Sequence, residues 1–138
     1  MATIHFPSLP DAEVVEVEFL KPGGSTRSMR LLVDSGFVGQ SCFVLAEDAA
    51  ELRRAELPPT QAMGALQGMQ NRAWVTCRIL ALSFQRTLIA IVGDISSLSL
   101  PAGVEGMVGL RFLRQFGRWG AEQVGDSGWQ FFLADGDK

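Results

Sequence analysis

Residues 13–36, EVVEVEFLKPGGSTRSMRLLVDSG, contain two alternating runs separated by a glycine-rich turn. Val15, Val17 and Phe19 alternate with Glu16 and Glu18, the two-residue period of a strand with one face in a core and one in water. Lys21-Pro22-Gly23-Gly24-Ser25-Thr26 has the composition of a turn. Met29, Leu31 and Val33 then share one face of a second strand. Two such strands across a short turn form a hairpin. The second strand runs straight into Asp34-Ser35-Gly36, which places a carboxylate and a flexible residue at the end of an apolar strand.

Further along the chain the period changes. Leu45, Ala49 and Leu52 stand at i, i+4 and i+7, which predicts a short amphipathic helix over residues 45–56. Glu47 and Asp48 lie near its start and Arg53 and Arg54 near its end, matching the helix dipole, and Pro58-Pro59 blocks continuation. Residues 60–70 carry Gly64 and Gly68 in no clear period. Val75, Cys77 and Ile79 alternate with Trp74, Thr76, Arg78 and Leu80 as a strand. Residues 83–86 read as a turn, 87–92 as a buried strand and 95–101 as a serine-rich loop. Leu110, Leu113 and Phe116 line one side of a short helix that Gly117 ends. Residues 129–133 form a last strand after Gly125-Asp126-Ser127-Gly128. The expected fold is all-β, a domain of about seven short strands with one or two short helices.

The chain of 138 residues suits one domain, 1–138, with a core over about 13–133. Its 47% hydrophobic and 20% charged residues exclude a disordered chain, and 15 glycines with 6 prolines supply the turns that short strands need. The net charge is −3 and no basic run exceeds Arg53-Arg54, which argues against a nucleic-acid partner. Cys42 and Cys77 match no metal or redox spacing, and His5 is the one histidine, so no metal or cofactor is expected. The N-terminal segment lacks the basic start and apolar run of a secretory signal. The apolar run Leu88-Ile89-Ala90-Ile91-Val92 is far short of a membrane span. These features predict a cytoplasmic protein with reduced thiols and no membrane partner.

Asp-Ser-Gly occurs twice, and its setting separates the copies. Asp34-Ser35-Gly36 follows Arg30-Leu31-Leu32-Val33 and precedes Phe37-Val38-Gly39. About 70 residues later comes Gly103-Val104-Glu105-Gly106-Met107-Val108-Gly109-Leu110-Arg111-Phe112-Leu113. Together LLVDSGFVG and GMVGLRFLRQF resemble the two signature segments of the retropepsin-like aspartic proteases, in particular their bacterial single-domain members. The resemblance spans roughly residues 13–120. Asp126-Ser127-Gly128 has no apolar-apolar-glycine segment after it and reads as a hairpin turn.

The resemblance implies a closed acid-protease barrel and an endopeptidase in which Asp34 is the catalytic residue. It makes Ser35, Gly36 and Gly109 the supports of the catalytic loop. Residues 63–69 take the position of the flap, so Met63, Gly64, Ala65, Leu66 and Gly68 become substrate contacts, joined by Phe37 of the cleft beside the catalytic loop. Ser35 stands where threonine is commoner in the family, and Phe37 where a small alanine is usual. Hydrolysis of a peptide bond by an activated water needs one carboxylate as base and one carboxylic acid to polarise the carbonyl. One matching Asp per chain therefore implies a homodimer with a single site on its axis. The terminal segments, residues 4–6 and 129–133, are the natural candidates for a sheet between subunits. The alternatives are an inactive dimerisation or peptide-binding module on the same barrel, and a monomeric small-ligand barrel. Of the other residues, Trp74, Trp119 and Trp129 are expected in the core or a subunit interface. Cys42 and Cys77 are expected to be buried, and His5, Asp94 and Glu105 to lie at the surface.

Overall fold

The alternation of residues 13–36 becomes an antiparallel hairpin in a computed structural model, which describes residues 2–62 and 68–135. The strands are β1 (Thr3–Pro7), β2 (Val14–Leu20), β3 (Thr26–Val33), β4 (Phe43–Ala46), β5 (Ala55–Ala62), β6 (Gly68–Ile79), β7 (Phe84–Gly93), β8 (Gly106–Val108), β9 (Arg118–Gln123) and β10 (Trp129–Ala134). One helix, α1 (Leu110–Leu113), and three 3-10 segments complete the described secondary structure.

Strands β2, β3, β8, β4, β7 and β6 hydrogen-bond in that order, and β2 pairs again with β6. The chain therefore closes a six-stranded barrel, with β5 continuing outward from β6. Closure removes the unpaired edges that an open sheet would present. Glu18 and Arg78 face each other across the β2–β6 seam, and Arg78 Nε donates to Glu18 Oε1 at 2.6 Å. Strands make up 54% of the structure, so the all-β barrel is established.

The inward face of the hairpin is Val15, Val17, Phe19, Met29 and Leu31, all at most 1% exposed. Phe19 meets Phe43 edge-on at 5.1 Å between ring centres. Phe43 meets Phe112 at 5.1 Å, and Phe112 meets Phe116 at 5.2 Å. A second, smaller cluster of Val44, Ile91 and Met107 covers the other face of the sheet, with Leu32, Phe37, Ile95, Leu98 and Leu100 packed on it. Both cysteines are buried and free.

Three elements differ from the expectation. The helix predicted over 45–56 is a 3-10 segment, Glu47–Leu52, and Arg53 is already extended. Arg54 N donates to Trp74 O at 2.9 Å and Ala55 pairs with Trp74, so pairing with β6 wins over continuing the helix. Pro58 and Pro59 fall where the β5–β6 register slips, between Leu57 and Thr60, where the missing N–H disrupts least. The turn expected at 83–86 lies earlier, at Leu80–Leu82, closed by Ser83 in the left-handed region at φ 50°. The terminal segments pair with each other inside the chain, from Thr3 opposite Ala134 to Pro7 opposite Gln130, in the sheet β1-β10-β9. The outer strands of this sheet are β1 and β9. No described helix is long and apolar enough to cross a membrane.

Candidate functional site

Asp34 sits where β3 leaves the barrel wall. Its neighbours follow from the position of β8, which runs between β3 and β4, parallel to the first and antiparallel to the second. The loop from β3 to β4 must therefore pass over the end of β8. Gly106 allows the close approach: a Cβ there would lie 2.4 Å from Val44 O and 3.2 Å from the Leu31 and Leu45 side chains.

The loop is fastened at both ends to the segment that follows β8. Asp34 N donates to Val108 O at 3.0 Å, Leu110 N to Phe37 O at 2.9 Å, and Gly109 N to Cys42 O at 3.0 Å. Within the loop, Gly36 N donates to Asp34 Oδ1 at 3.0 Å and Phe37 N to Asp34 O at 3.1 Å. The carboxylate is thus oriented by a backbone amide two residues on, an Asx-type turn that leaves Oδ2 for other partners. Asp34 is half-buried, while Ser35 and Gly36 are exposed. Gly36 N holds the carboxylate, and a Cβ on Gly36 would meet Asp34 Oδ1 at 3.2 Å.

Gly109 lies directly against the Asp34 loop. A Cβ at Gly109 would come within 2.4 Å of Phe37 Cδ2 and 2.7 Å of Phe37 O. The glycine is the floor on which the Phe37 ring lies, while Gly106 is the position that lets strands pass closely. Phe37 packs into the second cluster and so braces the loop from beneath.

Four of the predicted site residues, Met63, Gly64, Ala65 and Leu66, lie outside the described residues. The strands that flank them are paired, with Ala62 opposite Gly68, so β5 and β6 form an antiparallel hairpin with residues 63–67 between its arms. Gly68 is exposed at φ 86°, a conformation that favours glycine, and Met69 next to it is 63% exposed.

Sequence reasoning missed Gly106, the Val108 carbonyl and the Leu110 amide. Backbone groups leave no mark in side-chain patterning, although the glycine-apolar-apolar-glycine run did mark the segment that supplies them. Burial pushes the Cys42 thiol up to about 11, with Arg111 opposing, and burial followed by the neighbouring Cys42 pushes Cys77 up to about 12. Both are protonated at neutral pH and are not nucleophiles there. Asp94 is held below the ordinary carboxylate range by its hydrogen bonds from Ser96, whose amide donates to Asp94 Oδ1 at 2.9 Å. His5 Nε2 lies 2.9 Å from Glu122 Oε1 across the terminal sheet. Residues 125–127 form the turn between β9 and β10, as the second Asp-Ser-Gly predicts. Among the described residues no group of three or more His, Cys, Asp or Glu could hold a metal ion. Comparison with known proteins finds no match: no family model, no curated protein and no solved structure aligns with the chain.

Proposed function

We propose that the chain is an aspartic endopeptidase of the retropepsin-like kind, active as a homodimer in which Asp34 meets Asp34 of the partner subunit. The observation that carries this reading is the fastening of the Asp34-Ser35-Gly36 loop to Val108, Gly109 and Leu110 on either side of the buried β8. Both sequence segments that prompted the family resemblance meet in this one place, and they hold a carboxylate at the surface on a backbone amide. A preorganised carboxylate needs no reorganisation when charge develops.

The chemistry follows from two such groups side by side. Two carboxyls at hydrogen-bond distance share one proton, because both cannot ionise cheaply. The ionised one takes a proton from a water as its oxygen attacks the peptide carbonyl carbon. The protonated one donates to the carbonyl oxygen, giving a tetrahedral diol. Collapse of the diol breaks the C–N bond: the proton taken from water goes to the departing amine, and one hydroxyl proton returns to the carboxylate that had donated, leaving a carboxylic acid and the dyad with its shared proton.

Support for a twofold contact comes from the surface beside Asp34. An open groove of about 800 Å³ is lined by Pro7, Leu9, Pro10, Ala12, Val33 and Trp129, with Ser8, Asp11, Glu13 and Ser127 as its polar lining. Val33 immediately precedes Asp34, and Trp129 is 56% exposed. An exposed tryptophan beside apolar residues suits an interface between copies. Residues 63–69, the last two of which open β6, are assigned the role of lid over bound peptide. The two free, buried thiols fit a reducing cytoplasm.

The test is cleavage of an unbiased peptide mixture by the wild type and by Asp34→Asn, with protein concentration varied. Loss of cleavage in Asp34→Asn and specific activity that rises with concentration support the reading. A folded dimer that cuts nothing from acid to neutral pH points instead to a peptide-binding module on the same barrel, which the free edge of β5 would serve by strand addition.

A further inference from the structure

A cavity of about 400 Å³ opens where the Asp34 loop ends, lined by Val38, Gly39, Leu110, Arg111, Arg114 and Gln115. Two of its six lining residues are arginines and none is acidic. Elsewhere on the surface Arg27, Arg53 and Arg78 each meet a carboxylate, while Arg54, Arg72 and Arg86 donate to carbonyl or amide oxygens. Arg111 and Arg114 form no ion pair among the described residues. Arg111 is nevertheless held in place: its Nε donates to Gly39 O at 3.0 Å, and Gln115 Nε2 donates to Arg111 O at 3.1 Å. The bond through Nε leaves the two Nη groups of Arg111 as donors. A guanidinium fixed at one edge beside a second, exposed guanidinium is a preorganised receptor for a carboxylate. Val38, 66% exposed, and Leu110 add apolar wall for the methylenes of a longer acidic side chain.

The position of the cavity links it to the candidate site. Val38 follows Asp34 by four residues, which places their Cα atoms within about 14 Å of each other. Side chains two to four residues from a scissile bond in an extended peptide lie roughly 7–13 Å along it. A cavity within that upper bound lies in reach of such a side chain.

We propose that this cavity binds an acidic side chain of the peptide substrate, glutamate in preference to aspartate, and so selects substrates that carry it a few residues from the cleaved bond. The proposal rests on the endopeptidase reading for its functional meaning, while the binding itself does not depend on catalysis.

The experiment uses the full chain and paired peptide libraries that differ only in having Glu or Gln at each position flanking the cut. Wild type should favour the Glu members about tenfold in kcat/KM, the effect of one charge-assisted contact, expressed in KM. Arg114→Gln should bring the ratio close to one, and Arg114→Glu should invert it. Arg114 is exposed and its side chain makes no bond among the described residues, so thermal unfolding should match the wild type. Equal rates for Glu and Gln members, or a Glu preference that persists in Arg114→Glu, overturns the proposal. A second arm measures anisotropy of the same peptides, labelled, with Asp34→Asn protein. If the wild type cuts nothing, the endopeptidase reading fails, yet Glu-over-Gln binding that Arg114→Glu abolishes still upholds the cavity's role. Equal binding of Glu and Gln peptides overturns it whether or not the chain is an enzyme.

Discussion

At the scale of single residues, the Asp34 loop depends on what is absent from Gly109. A methyl group there would overlap the Phe37 ring and its carbonyl oxygen, at 2.4 and 2.7 Å. Gly109→Ala should cost about 3 kcal/mol, the upper range for overpacking, read as a fall in the urea midpoint. Adding Phe37→Ala should recover only part of that loss, because the clash with the Phe37 carbonyl remains. Full recovery would mean that the ring alone sets the spacing. Gly36→Ala should be milder for stability, since the contact it meets is 3.2 Å from Asp34 Oδ1. The thiols make a separate prediction. Their folded values near 11 and 12 lie above the ordinary value of 9.0, so the fold favours their neutral forms. That stabilisation is complete below pH 9 and is lost as pH rises toward the folded values. Alkylation by iodoacetamide at pH 8 should be slow in the native protein and should reach both cysteines only in denaturant. Rapid labelling of the native chain would contradict the burial of either thiol.

Among elements, α1 shows how a short piece is held by packing rather than by its own hydrogen bonds. Four residues cannot form a stable helix alone. Phe112 anchors it, with rings of Phe43, Phe84 and Phe116 at 5.1, 6.3 and 5.2 Å. Phe112→Ala should destabilise the protein by about 4 kcal/mol in urea unfolding. The loss should also loosen the Leu110 amide from Phe37, so amide exchange at Leu110 should quicken more than exchange in β2. Equal acceleration at both would show that the helix does not brace the loop. The same elements explain what the sequence made legible. The β2–β3 hairpin was readable because Val15, Val17, Phe19, Met29 and Leu31 all point into one core. β9 was not, because Arg118-Trp119-Gly120-Ala121-Glu122-Gln123 covers only the terminal sheet and has no buried face to impose alternation. β5 was hidden by Pro58-Pro59, which are tolerated in a strand only because they fall at its register slip. The predicted helix over 45–56 failed for the opposite reason. Its apolar spacing is real, with Leu45, Ala49 and Leu52 all buried, but it is shared among a strand, a 3-10 turn and the barrel core. Asp34 was legible as a candidate because it ends an apolar strand within the first of two paired segments; the fastening of its loop to Val108 and Leu110 was not, because it is made by backbone.

For the whole molecule, the barrel closes on itself and carries at its surface the Asp34 carboxylate, oriented by the Gly36 amide. One carboxylate cannot supply both the base and the acid of peptide hydrolysis, so the proposed reaction requires two copies of the chain. The groove running from Pro7 to Trp129 past Val33 is the surface that a second copy would cover. The most direct measurement is the concentration dependence of peptide cleavage by mixtures of wild type and Asp34→Asn, with dimer mass followed by sedimentation. We expect Asp34→Asn alone to be inactive but dimeric. We also expect its addition to wild type to suppress activity in proportion to the mixed dimers formed, because each would lack one carboxyl of the pair. Activity that is unaffected by Asp34→Asn, or that belongs to a monomer at every concentration, would contradict a shared Asp34 site.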